Sequence, residues 1–148
     1  SRDIYCVAYG KNMFVIGGDD GYLVTSADGI TWTYRSSSIY GRIYDVTYGN
    51  NMFVAVGDDT NTNIRTSTNG TTWTWRETSF GTYVLYSVAY GNGIFIAVGE
   101  SGLLATSADG ITWSRRDSSF DTTDIRGVAN GNNMFVAVGR SGKLATLS

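Results

Sequence analysis

Val88-Ala-Tyr-Gly-Asn-Gly-Ile-Phe-Ile-Ala-Val-Gly99, followed by Leu104-Ala-Thr-Ser-Ala-Asp-Gly-Ile-Thr-Trp113, is the unit from which this chain is built. It recurs four times with small changes, the last time cut short. Val7, Val46, Val88 and Val128 stand 39, 42 and 40 residues apart. Gly10, Gly49, Gly91 and Gly131 keep the same register, as do Phe14, Phe53, Phe95 and Phe135, and Trp32, Trp73 and Trp113 mark the first three copies. So many markers in phase define a structural repeat of about 40 residues.

Each copy reads as four short strands. In the second copy, residues 43–48 alternate and are rich in aromatic and β-branched side chains. The Gly49-Asn50-Asn51 turn then reverses the chain, because Gly and Asn tolerate the positive φ that tight hairpins need. Residues 52–56 are almost wholly apolar and predict a strand covered on both faces. In the third copy, strands follow at residues 103–106 and 111–116, joined by a Ser-Ala-Asp-Gly turn. A lone four-stranded sheet cannot cover both its faces, but sheets stacked around an axis can. The chain therefore reads as an all-β protein, a β-propeller of four tandem repeats with four-stranded blades and an incomplete last blade. The blades span approximately residues 4–42, 43–84, 85–124 and 125–148 of one domain or propeller fragment.

Composition agrees. Of 148 residues, 42% are hydrophobic and 16% charged, which fits a folded domain and excludes a disordered chain. Pro and His are absent and helix formers scarce, so little helix is expected. The net charge of -2 offers no basic stripe to follow a phosphate backbone, so nucleic acid is not an expected partner. No apolar run reaches membrane-spanning length, no membrane partner is expected, and no signal peptide opens the sequence. The single cysteine, Cys6, lies in an alternating strand pattern and reads as a buried thiol; without histidine it has no base to make it a nucleophile.

At the third turn the sequence resembles a known family. Ser26-Ala-Asp28-Gly29-Ile-Thr31-Trp32 and Ser107-Ala-Asp109-Gly110-Ile-Thr112-Trp113 are similar to the Asp-box of bacterial sialidase-type repeat propellers. Ser67-Thr-Asn69-Gly70-Thr-Thr72-Trp73 carries Asn in place of Asp, and all three lack one residue of the fullest box. The resemblance implies a structural turn between third and fourth strands. Side-chain chemistry leads to the same expectation: the Asp or Asn oxygen bonds nearby backbone N–H groups, and Gly supplies the left-handed backbone. Trp locks the turn to the blade, so Trp32, Trp73 and Trp113 are all expected to be buried.

The family's enzymatic residues map to no position here. Arg35, Arg76 and Arg116 each follow a Trp at equivalent outer positions and cannot converge on one substrate. A glycosidase also needs positioned carboxylates, or a tyrosine nucleophile with an acid partner. The sequence thus reads as a non-enzymatic binding module for carbohydrate or protein, with no cofactor and no metal. A glycan-processing sialidase-type enzyme and a structural piece of a larger propeller are the alternatives.

The turns shared by all copies belong on one face of the ring and the divergent loops on the other. The candidate ligand-binding residues come from those divergent loops. They are Asp19 and Asp20, Asp58 and Asp59, Glu100 and Arg140 between second and third strands, with Tyr40 and Tyr83 in the connectors 36–42 and 77–84. Trp75 joins them as a stacking platform, against the competing expectation that it packs on the next blade. Drift in solvated loops is the competing reading for the others. Arg65 stands where other copies have Val24, Ala105 and Ala145, and is expected either at an open blade face or paired with an acid.

The fourth copy stops before its Asp-Gly turn, Trp and last strand, and Arg126 and Asn130 replace tyrosines of the other copies. Three arrangements fit: a small ring with a three-stranded last blade, a piece of a larger propeller, or a homodimer completing a ring of about eight blades. In a closed monomer, Arg126 is expected to find an acid such as Asp3.

Overall fold

Every copy of the repeat folds into an antiparallel sheet whose strands pair in chain order. The computed structural model describes residues 2–60 and 63–147. The first blade comprises β1 (Ile4–Gly10), β2 (Met13–Gly18), β3 (Leu23–Ser26) and β4 (Thr33–Tyr34). The second comprises β5 (Ile43–Gly49), β6 (Met52–Gly57), β7 (Ile64–Ser67) and β8 (Thr74–Trp75). The third comprises β9 (Leu85–Gly91), β10 (Ile94–Gly99), β11 (Leu104–Ser107) and β12 (Ser114–Arg116). Among the described residues the fourth holds β13 (Ile125–Gly131), β14 (Met134–Gly139) and β15 (Leu144–Leu147). The fold is that of a four-bladed β-propeller array with a three-stranded last blade.

Local chemistry explains the turns. The hairpin residues Asn50 and Asn51, and Asn132 and Asn133, all have positive φ, as do Asn92 and Gly93. That backbone matches the twist of the strands they join. In the third turn, one oxygen of Asp28 accepts the Ile30 and Thr31 N–H groups at 2.8 and 2.7 Å. Asp109 does the same for Ile111 and Thr112, and Asn69 for Thr71 and Thr72, all at 2.8 Å. A single oxygen suffices, which is why Asn serves in the second blade. The fourth strands are shorter than the predicted 111–116, because this turn continues to the Trp before pairing begins at Ser114. The arginines after each Trp brace that strand: Arg35, Arg76 and Arg116 donate from Nε to Thr25, Thr66 and Thr106.

The first strands pack in sequence, β1 on β5, β5 on β9 and β9 on β13. The contacts between blades are built alike, save that the first two include a Trp of the later blade and the third does not. Val15, Leu23 and Ile39 of the first blade meet Val46, Phe53 and Trp73 of the second. Val54, Ile64 and Phe80 then meet Val88, Phe95 and Trp113, and Ile96, Leu104 and Phe120 meet Ile125, Phe135 and Ala137. The connector between blades supplies one large apolar plug at each contact, namely Ile39, Phe80 or Phe120.

The sheets form an arc and do not close into a ring. Val46 and Val88 are 4% exposed, whereas their equivalent Val7 is 61% exposed. At the other end Leu104 is 3% exposed and its equivalent Leu144 is 70%. This corrects the expectation for Trp32. Trp73 and Trp113 are buried, but Trp32 is 39% exposed because no blade covers the outer face of the first. Arg126 does not reach Asp3; it pairs at 2.8 Å with Asp124, the connector residue just ahead of its strand.

Candidate functional site

The divergent loops gather at one end of the arc, where the first strand of each blade begins. At that point every blade carries the same irregularity in strand pairing. Ile4 pairs with Gly18 and Cys6 with Gly17, so Tyr5 is left without a partner. Tyr44, Tyr86 and Arg126 are skipped in the same way in the other blades. A β-bulge re-aims the side chain of its extra residue. Here it lines up four side chains from four blades. The Tyr5 and Tyr44 ring centroids lie 5.6 Å apart, those of Tyr44 and Tyr86 also 5.6 Å, and the Arg126 guanidinium sits 3.9 Å from the centre of the Tyr86 ring.

Charged groups of the loops surround this row. Asp19 accepts the Tyr5 hydroxyl at 2.7 Å, which pushes the phenol up to about 12 and holds the carboxyl below the usual range. Asp58 accepts the Tyr44 hydroxyl at 3.1 Å. Arg42 lies between the two acids, 3.4 Å from Asp19 and 3.2 Å from Asp58. At the far end, Asp124 receives the Ser101 N–H at 3.0 Å and pairs with both Arg126 and Arg140. The Ser101 bond, followed by the two arginines, holds its carboxyl below the ordinary value. Burial raises the Tyr86 phenol, against the lowering effect of Arg126.

Several candidate residues take structural parts in this arrangement. Asp19, Asp58 and Glu100 each accept the backbone N–H just ahead of the first strand, from Asp3, Arg42 and Val84 respectively. Their own N–H groups bond the carbonyls of those same residues, so each acid ties its loop to the strand start. Arg140 keeps the backbone half of this lock, to Asp124. Asp20 sits beside Asp19 in a short 3-10 turn, exposed and with φ +51. Asp59 is buried and forms a 2.7 Å ion pair with Arg65, itself 4% exposed, which removes it from the ligand-facing set. That pair settles the anomaly of Arg65, which also reaches the Ser38 carbonyl at 3.3 Å and so braces the first connector.

The aromatic candidates lie apart from the row. Tyr40 is 81% exposed in its connector, and Tyr83 lies under the Arg115 guanidinium at 5.6 Å. Trp75 is 57% exposed on the outermost strand, across from Arg65, so packing on the next blade is not its role. Residues 61 and 62 of the divergent 58–63 loop lie outside the described residues. Among the described residues no group of three or more His, Cys, Asp or Glu side chains is placed to hold a metal ion. Sequence reasoning missed the row itself, although the repeating Tyr5, Tyr44, Tyr86 and the exchange to Arg126 marked its members.

No family model and no curated protein matches the chain. Solved structures do. The computationally designed Ika4 protein matches with a TM-score of 0.74 at 15% identity, over 98% of this chain and 90% of that one. YCF48 from Cyanidioschyzon merolae matches with a TM-score of 0.74 at 18% identity, over 99% of this chain and 53% of that one. A structure of YCF48 bound to D1 peptide matches with a TM-score of 0.67 at 15% identity, over 99% of this chain and 49% of that one. These likenesses place the chain among β-propellers by fold. The chain spans about half the length of the YCF48 chains it matches.

Proposed function

We propose that this chain is a non-enzymatic protein-binding module, which takes a peptide segment of its partner along the row Tyr5, Tyr44, Tyr86 and Arg126, and that it works as half of a ring shared with a second copy. The observation that carries the binding reading is the bulge repeated in four blades, which brings three tyrosines and an arginine side by side at the loop-bearing end. Tyr and Arg, with Trp, are enriched among the residues that dominate protein interfaces. Arg42 and Arg126, with the acids beside them, offer charge of both signs to a peptide backbone and its side chains. A sugar ring needs an open aromatic face, whereas these rings pack on one another at tilts of 44° and 59° and the Arg126 guanidinium covers the Tyr86 ring, which favours a peptide over a carbohydrate. A propeller of similar fold, YCF48, has been solved with a D1 peptide bound, so the architecture is compatible with such a ligand. The acids of this end are engaged in bonds to backbone and arginine, which supports binding rather than hydrolysis.

Panning a random-peptide phage library against the immobilised chain tests this. Enriched peptides should bind Tyr44→Ala and Tyr86→Ala about tenfold or more weakly. No enrichment, or equal binding by both variants, would overturn the proposal.

A further inference from the structure

We infer that two copies of this chain close head to tail, the open face of the fourth blade of each packing on the open face of the first blade of the other. This rests on the proposed second copy and specifies its seam. The three contacts inside the chain serve as templates.

The first template is apolar. Inside the chain, Val15, Val54 and Ile96 are each at most 3% exposed against the following blade. Their equivalent Val136 is 41% exposed, and Val138 and Leu144 beside it are 48% and 70% exposed. On the receiving side, Val7 is 61% exposed where Val46 and Val88 are covered, and it lines an open trough with Ile4, Phe14, Ile16 and Trp32. Each end thus lacks the surface that the other presents.

Two finer features repeat with the same polarity. Gly10 lies flat against the Tyr48 ring and Gly49 against the Tyr90 ring, so close that a Cβ would stand 2.2 and 2.0 Å from them. The open counterparts are Gly131, with nothing within 4 Å, and Tyr9, which is 57% exposed. Likewise the Met13 sulfur fills the space over Gly70, and the Met52 sulfur that over Gly110. Their open counterparts are Met134, 41% exposed, and Gly29, which meets only Phe14 of its own blade.

A second copy is the occupant these features select. Each end carries the half of the template that the other lacks, which favours contact between unlike ends over contact between like ends. Within one chain the two ends do not meet. The arc overlays about half of the YCF48 chains and 90% of the designed Ika4 chain, so an array of this length is a recurrent part of larger propellers and also stands as a chain of its own. Two copies joined head to tail make a two-fold ring of eight blades, four from each chain, with two identical seams. It also extends the tyrosine row, placing Tyr5 of one copy next after Arg126 of the other.

Sedimentation velocity and native mass spectrometry of the 148-residue chain test this with two variants, Val7→Asp at the head and Val136→Asp at the tail. Both sites are solvent-exposed in the single arc, and far-UV circular dichroism should show that each variant keeps its fold. The unaltered chain should be a dimer, and each variant alone a monomer. An equimolar mixture of the variants should regain a two-chain species, because one of its seams joins an unaltered head to an unaltered tail. A monomeric unaltered chain overturns the inference, as does a dimer formed by either variant alone at unaltered strength, or a mixture that stays monomeric up to the solubility limit. Peptide binding by the monomeric variants is read separately: its loss or survival bears on the binding reading, and the masses bear on the seam.

Discussion

Asp45 of the second blade accepts the Ser87 hydroxyl of the third at 2.8 Å, across the line where the two sheets pack. The same oxygen takes the Val88 N–H at 2.9 Å, and the other takes the N–H of Val46 at 2.9 Å. Ser87 passes the pattern on by accepting the Val128 N–H of the fourth blade at 3.3 Å. In the second and third blades the residue just past the bulge thus fastens its blade to the next, and the charge at Asp45 is the costly member of the pair.

Replacing Asp45 with Ala leaves the Ser87 and Val88 donors without their acceptor and should cost about 1–3 kcal/mol. Burial raises the Asp45 carboxyl above its ordinary value, outweighing the three hydrogen bonds. The folded state therefore holds this proton more tightly than the unfolded state, and this group's contribution falls as pH rises through its raised value. Asp45→Asn should remove that decline. Urea titrations between about pH 4 and neutrality check it, since Asp in an unfolded chain titrates near 3.9. An unchanged pH slope would contradict the assignment.

The turn acids act with the opposite sign. Backbone N–H bonds from Thr112 and Ile111 hold the Asp109 carboxyl below its ordinary value, and Thr31 and Ile30 do so for Asp28. Their stabilisation is present above the ordinary Asp value and is lost as pH falls through the lowered folded values. Asp109→Ala should cost about 1 kcal/mol at neutral pH, as for ordinary turn hydrogen bonds. Asp109→Asn should cost much less, because Asn69 already makes the same two bonds, and it should also blunt the acid sensitivity. Equal damage from Ala and Asn would refute this account of the turn.

What could be read in the sequence follows from where each signal resides. The strands, the Asn hairpins and the Asp turns are local, and copies in register made each visible. The polarity of the arc was also legible, since hairpin and Asp turns share one end and the variable loops the other. Trp32 was misjudged because its burial depends on a neighbouring blade that the chain does not bring to it. The bulges at Tyr5, Tyr44, Tyr86 and Arg126 were missed because a slip in pairing belongs to two strands, and its trace within one is only the odd spacing of Ile43 with Val46 and of Leu85 with Val88, which share a core across the bulge. Asp19, Asp58 and Glu100 looked like loop acids free to bind, yet each holds the N–H ahead of a strand about 16 residues away, a long-range bond that no local pattern announces.

Cys6 offers a check on the contact between the first two blades. Its thiol is buried, with Sγ 3.7 Å from the Gly17 carbonyl and 3.8 Å from that of Ile43. Burial pushes it up to about 12, so almost no thiolate is present at neutral pH. Iodoacetamide should modify it only under denaturing conditions. Rapid labelling of the native chain would mean that this contact opens readily.

The three tryptophans should separate blade stability from closure. The ring centroids of Phe53 and Trp73, and of Phe95 and Trp113, lie 6.3 Å apart, and in both pairs the rings are enclosed by the preceding blade. Trp73→Ala and Trp113→Ala should each cost about 3–5 kcal/mol, the usual loss for a packed aromatic. Trp32 makes the same contact with Phe14 at 6.4 Å, but no blade covers it. Measured in the Val136→Asp background, where the arc stands alone, Trp32→Ala should therefore cost well under half as much. In the proposed dimer the same substitution should weaken association, since Trp32 lines the open trough of the first blade. Equal costs for all three tryptophans in the lone arc would show that the Trp is stabilised within its own blade, and that the neighbouring sheet contributes little.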